Sequence, residues 1–79
     1  MEKLVAGDIA TIEGGKEYIA FSTATMDGKD YVYLMSNFKP LEIRFARQYL
    51  DNGVLKLEVV NDQTEKQRLL ELFQVNNQQ

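Results

Sequence analysis

Glu17-Tyr18-Ile19-Ala20-Phe21-Ser22-Thr23-Ala24-Thr25-Met26-Asp27-Gly28-Lys29-Asp30-Tyr31-Val32-Tyr33-Leu34-Met35-Ser36 is the stretch on which the fold turns. Two runs rich in β-branched and aromatic residues flank one Asp-Gly pair, and such a pair supplies the positive φ angles of a tight hairpin. With Asp27 and Gly28 as a two-residue turn, Thr23 faces Val32, Phe21 faces Leu34 and Ile19 faces Ser36. Opposed residues of an antiparallel pair share a face, so this register gathers Ile19, Phe21, Val32 and Leu34 on the expected core side. Tyr31, Tyr33 and Met35 then lie on the other side, beside Tyr18 and Ala20.

Working outward, Gly14-Gly15 and Asn52-Gly53 are further turn signals. Together they predict strands over residues 8–13, 17–25, 30–36, 42–50 and 54–60. A Gly14-Gly15 turn sets Ala10 against Ile19 and Ile12 against Glu17. The single proline, Pro40, falls in the longest connection, 37–41, where it interrupts no ladder. In the fifth segment Leu55, Leu57 and Val59 point one way, Lys56 and Glu58 the other.

Residues 42–50 carry both periods: Ile43, Phe45 and Tyr49 suit a strand, while Ile43, Ala46 and Leu50 approach helical spacing. The strand reading is preferred, and it leaves two registers. A two-residue Asn52-Gly53 turn pairs Arg47 with Glu58 and turns Phe45 outward. A three-residue Asp51-Asn52-Gly53 loop brings Phe45 opposite Val59 and Tyr49 opposite Leu55. The second is favoured, because burying a phenylalanine stabilises by about 2 kcal/mol and an exposed ion pair by less than about 1 kcal/mol.

From Asp62 the period becomes helical. Asp62 is placed to cap a helix over about 62–74, with Glu65 completing a capping-box pattern. Leu69, Leu70, Leu72 and Phe73 make its apolar stripe; Lys66, Gln67, Arg68 and Glu71 stay wet. Such a helix is marginal alone and must dock on an open end or face of the sheet. Residues 75–79 read as a polar tail. The expected fold is mainly β, of α+β type: one domain over 1–79, a bent five-stranded antiparallel sheet or small SH3-like barrel with a C-terminal amphipathic helix.

With 79 residues, no cysteine and no histidine, the chain has neither disulfides nor the usual zinc ligands, and must rely on burial. The same absences remove the commonest general base and the thiol nucleophile. Ser22 sits in mid-strand without a base beside it, and Asp27, Asp30, Asp51 and Asp62 occupy turns or a cap, where aspartate serves the backbone. Gly14-Gly15 lacks the following helix and the Gly-Lys-Ser/Thr ending of a phosphate loop, since Glu17 follows Lys16. No enzyme activity, catalytic residue, cofactor or metal is therefore expected. No run approaches the roughly 18 apolar residues of a membrane span and the first residues lack a signal-peptide core, so a cytoplasmic location without membrane association is expected.

One feature exceeds background: the interaction face Tyr18, Tyr31, Tyr33 and Met35. It has three readings. It receives the C-terminal helix; or it binds an unknown protein partner or a second copy in a homodimer, since tyrosine and methionine are enriched at interface cores; or it stacks single-stranded nucleic acid, framed by Lys29, Arg44, Arg47 and Lys56. A net charge of −3 opposes the last. The favoured expectation is a non-catalytic protein-interaction module, with a nucleic-acid-binding accessory protein as the alternative.

The runs Gly7-Asp8-Ile9, Gly15-Lys16-Glu17-Tyr18, Asp27-Gly28-Lys29, Tyr31-Val32-Tyr33-Leu34, Leu57-Glu58-Val59-Val60 and Leu69-Leu70-Glu71-Leu72-Phe73 are similar to those of a group of small uncharacterised proteins. These occur in low-GC Gram-positive bacteria, their phages and their conjugative elements. The resemblance covers Gly7 to Phe73 and rests on turns, alternation and a closing helix. It implies a compact β-barrel-like domain and transfers no catalytic or binding residue.

Overall fold

A computed structural model describes residues 3–77. Five strands run in chain order: β1 (Ile9–Ile12), β2 (Lys16–Met26), β3 (Lys29–Ser36), β4 (Ile43–Asp51) and β5 (Val54–Val59). They form one antiparallel meander of order β1-β2-β3-β4-β5, curled into a half-barrel, and one helix, α1 (Gln63–Asn77), follows. The sheet bends as expected, but it stays open: β1 and β5 are its two edges.

Asp27-Gly28 and Asn52-Gly53 both turn the chain in two residues, with φ of 54° and 76° in the first and 53° and 81° in the second. Those are the positive angles that match the right-handed twist of the flanking strands. The second hairpin starts in the expected register, Thr23 opposite Val32 and Ala24 opposite Tyr31. It then slips. A β-bulge between Ala20 and Ser22 leaves Phe21 as the extra residue, so Ala20 faces Leu34, Ile19 faces Met35 and Tyr18 faces Ser36. One extra residue sends every side chain beyond it to the other face. Val32 and Leu34 are buried as expected, but Ile19 and Phe21 are exposed, and Tyr18 and Ala20 take their place in the core. The β1–β2 loop spans three residues, Glu13-Gly14-Gly15, and not two, so Ala10 faces Tyr18 and Ile12 faces Lys16.

Residues 43–51 are a strand, and the favoured register of its hairpin is corrected as well. Arg47 faces Glu58 and Tyr49 faces Lys56 across the two-residue turn, with 2.6 Å between Arg47 Nη2 and Glu58 Oε1. Phe45 still finds apolar neighbours in this register, because α1 covers that part of the other face. On one face Ala10, Tyr18, Ala20, Val32, Leu34 and Ala46 form a first core, flanked by Leu4, Ile12, Phe38 and Leu57. Here the buried amide of Gln48 accepts a hydrogen bond from Leu4 N–H (2.7 Å) and donates one to Leu4 C=O (3.1 Å), as a neighbouring strand would. On the other face α1 seats Leu69 and Phe73 against Tyr31 and Val60, with Ala24, Met26, Tyr33 and Phe45 around them. Phe45 stacks on Phe73 at 5.6 Å between ring centroids.

The helix start follows the sequence: Glu65 N–H donates to Asp62 Oδ2 at 2.8 Å. The Glu65 carboxylate does not complete a capping box; it accepts a hydrogen bond from Tyr31 OH. Arg68 pairs with Asp27 at 3.0 Å, tying α1 to the β2–β3 turn. The helix passes the expected end at 74 and includes residues 75–77, which had read as tail; 78 and 79 lie outside the described residues.

Candidate interaction face

The registers arrange the helix-side face of the sheet in rows. Ala24, Tyr31, Arg47 and Glu58 form one row, and Ser22, Tyr33 and Phe45 the next. α1 covers these two through Leu69 and Phe73. The third row is Ile9, Ile19, Met35 and Ile43, four apolar residues directly opposite one another across β1 to β4. Ile9 is 60% exposed, Ile43 40% and Ile19 38%, and the bulged Phe21 beside them is 50% exposed. Phe21 leans on Tyr33 (5.7 Å), which meets Phe45 edge-on (5.2 Å) and Phe73 edge-on (5.4 Å). A continuous aromatic layer thus runs from beneath the helix into an uncovered apolar strip.

Of the four residues expected to form the interaction face, Tyr33 and Met35 line this strip, both half-buried. Tyr18 does not. The bulge turns it into the first core, where its hydroxyl donates to Glu42 (3.0 Å) and Glu13 (3.1 Å). Tyr31 lies on the expected face but beneath α1, so for it the helix-receiving reading holds. Burial, reinforced by the carboxylates that accept their hydrogen bonds, pushes both phenols up to about 12. Ile9, Ile19, Phe21 and Ile43 were missed as surface residues. Ile19 and Phe21 change face at the bulge, where residues 18–26 of β2 span one position more than residues 29–36 of β3, with which they pair.

A charged cluster stands at the β1–β2 turn on the first-core side. Arg44 Nε donates to both oxygens of Glu13 at 3.1 Å, and Arg44 Nη2 lies 3.4 Å from Glu42. Arg44 holds the Glu13 carboxyl below the usual carboxylate range, and Glu13 raises Arg44 in turn. Across the sheet Lys3 and Asp30 are ion-paired, and this bond keeps Asp30 low. Two of the four cations expected to frame a stacking platform, Arg44 and Arg47, are therefore engaged by carboxylates. With Tyr18 and Tyr31 buried, Tyr33 is the one tyrosine of that expected platform left half-buried, and it lies beside the exposed Phe21, which was expected on the core side.

Among the described residues no group of three or more carboxylates is placed to hold a metal ion, and no helix is long and apolar enough to cross a membrane. No protein-family model, curated protein or solved structure matches this chain.

Proposed function

We propose that this chain is a non-catalytic protein-interaction module that binds a partner's apolar side chains on the Ile9–Ile19–Met35–Ile43 strip and the adjoining Phe21. The observation that carries this reading is the strip itself. Both faces of a small sheet are already supplied with cores, yet four apolar residues in register stay outside them. Contiguous exposed apolar surface of this kind marks interaction sites, and methionine and aromatics are the residues enriched at interface cores. Tyr33, which meets Phe45 and Phe73 edge-on, borders the strip and offers a partner's apolar groups a packed aromatic wall.

The test compares affinity capture by the wild-type chain with capture by Ile19→Glu and Ile43→Glu, both at exposed positions, and by Lys39→Glu as a control. The expected result is one or more proteins retained by the wild type and the control and lost by both strip variants, whose circular dichroism is unchanged. Equal retention by all four sinks the proposal. The rival reading, a nucleic-acid-binding accessory protein, is separated by titrating labelled single-stranded DNA and RNA at low salt, where the electrostatic contribution is greatest. A cytoplasmic location and a Gram-positive or mobile-element origin belong to the same proposal and rest on the sequence alone.

A further inference from the structure

β5 is paired on one side only. Val54-Leu55-Lys56-Leu57-Glu58-Val59 bonds to β4 and forms one edge of the sheet. Natural proteins protect such an edge with proline, a bulge, extreme shortness, a covering element or charged side chains; of these β5 has only the charges, Lys56 and Glu58, which are of opposite sign. β5 has no proline, its ladder with β4 runs without interruption from Val54 to Val59, and α1 packs on one face of the sheet, against Tyr31 of β3 and Phe45 of β4. β1, the other edge, has four residues against the six of β5.

The side chains of β5 are self-complementary about Leu57. We propose that a second copy of this chain pairs antiparallel with the outer edge of β5, across a two-fold axis through Leu57, to make a continuous ten-stranded sheet from two five-stranded ones. In that register Lys56 of each copy faces Glu58 of the other, Leu55 faces Val59, and the two Leu57 side chains meet on the axis. Leu55, Leu57 and Val59 are half-buried and share the first-core face, so pairing covers their remaining apolar surface. Lys56 is exposed and has no carboxylate partner among the described residues; Glu58 already meets Arg47 and gains a second cation.

Charge also selects the register. The two copies keep their apolar faces on one side only when the axis passes through a residue of the strand. Centred on Lys56, pairing sets lysine against lysine; centred on Glu58, glutamate against glutamate. Like charges directly opposite are destabilising. The Leu57 register alone matches opposite charges at both places. This inference is independent of the apolar strip, which belongs to the other side of the sheet and to β1–β4.

Sedimentation of the full chain over a range of concentrations tests it. The wild type is expected to move from 9.1 kDa towards twice that mass as concentration rises. Lys56→Glu and Glu58→Lys should each be monomeric, while an equimolar mixture of the two should dimerise, because every opposed pair is then again of opposite sign. Amide exchange of the wild type supplies a readout free of substitutions: the outward N–H groups of β5 should be protected as concentration rises. A monomeric wild type at every concentration overturns the proposal. So does a dimer that survives both single substitutions, one that is lost in Ile19→Glu, or one that forms without added protection in β5.

Discussion

Tyr18 and Tyr31 show how single residues are disposed by their surroundings. Each ring is buried against apolar neighbours while its hydroxyl ends on carboxylates, Glu42 and Glu13 for Tyr18 and Glu65 for Tyr31. Both features favour the neutral phenol, so each folded pKa stands near 12, above the ordinary 10.0. A raised pKa means that the folded state keeps a proton the unfolded chain has lost. The stabilisation is fully present below pH 10 and disappears as pH rises to about 12. Denaturant midpoints are therefore expected to fall over that interval, and the fall should be shallower in Tyr31→Phe and in Tyr18→Phe. A decline as steep in both variants as in the wild type would contradict this assignment. Gln48 makes the complementary point: a buried amide is tolerated because Leu4 satisfies both of its polar ends.

The strand pair β2–β3 carries the main lesson at the level of elements. Ala20 opposes Leu34 and Ser22 opposes Tyr33, with Phe21 between them unpaired. Deleting Phe21 would join two segments already in phase, so both cores keep their residues. The expected outcome is a folded protein destabilised by about 1 kcal/mol, the contribution of an aromatic pair such as Phe21–Tyr33. Urea unfolding measures this, and a deletion variant that fails to fold would show that the bulge is needed for curvature. The β4–β5 hairpin shows why an energy comparison chose the wrong register. Burial of Phe45 and the Arg47–Glu58 pair exclude one another only where one face of the sheet is wet. Because α1 covers the second face, the structure has both.

For the whole molecule, the two cores share one thin sheet. The first contains three alanines, Ala10, Ala20 and Ala46, and the second depends on two helix residues, Leu69 and Phe73. Neither side is large, so helix and sheet should unfold together. Phe73→Ala removes a buried ring that meets both Tyr33 and Phe45, a change that costs about 3–5 kcal/mol. A chain of 79 residues has a total of about 4–12 kcal/mol to lose. The variant is expected to unfold at a markedly lower temperature than the wild type, with helix and strand signals melting as one transition. A helix that melts first while the amides of β3 remain protected would divide the molecule into separate units.

The strand boundaries, the two-residue turn at Asp27-Gly28 and the Asp62 cap were legible from local chemistry; a turn at Asn52-Gly53 was legible too, but its two-residue length was not. Each rests on the backbone preferences of a few neighbouring residues. Which side of the sheet is the core was not legible. Alternation reveals faces only when one of them is wet, and in Tyr18-Ile19-Ala20-Phe21 and Tyr31-Val32-Tyr33-Leu34 both faces are apolar. The bulge at Phe21, the helix over Tyr31 and the uncovered row from Ile9 to Ile43 arise from contacts between residues distant in the chain. Tertiary packing had to choose between two equally apolar faces, and by covering only part of one it left the strip exposed.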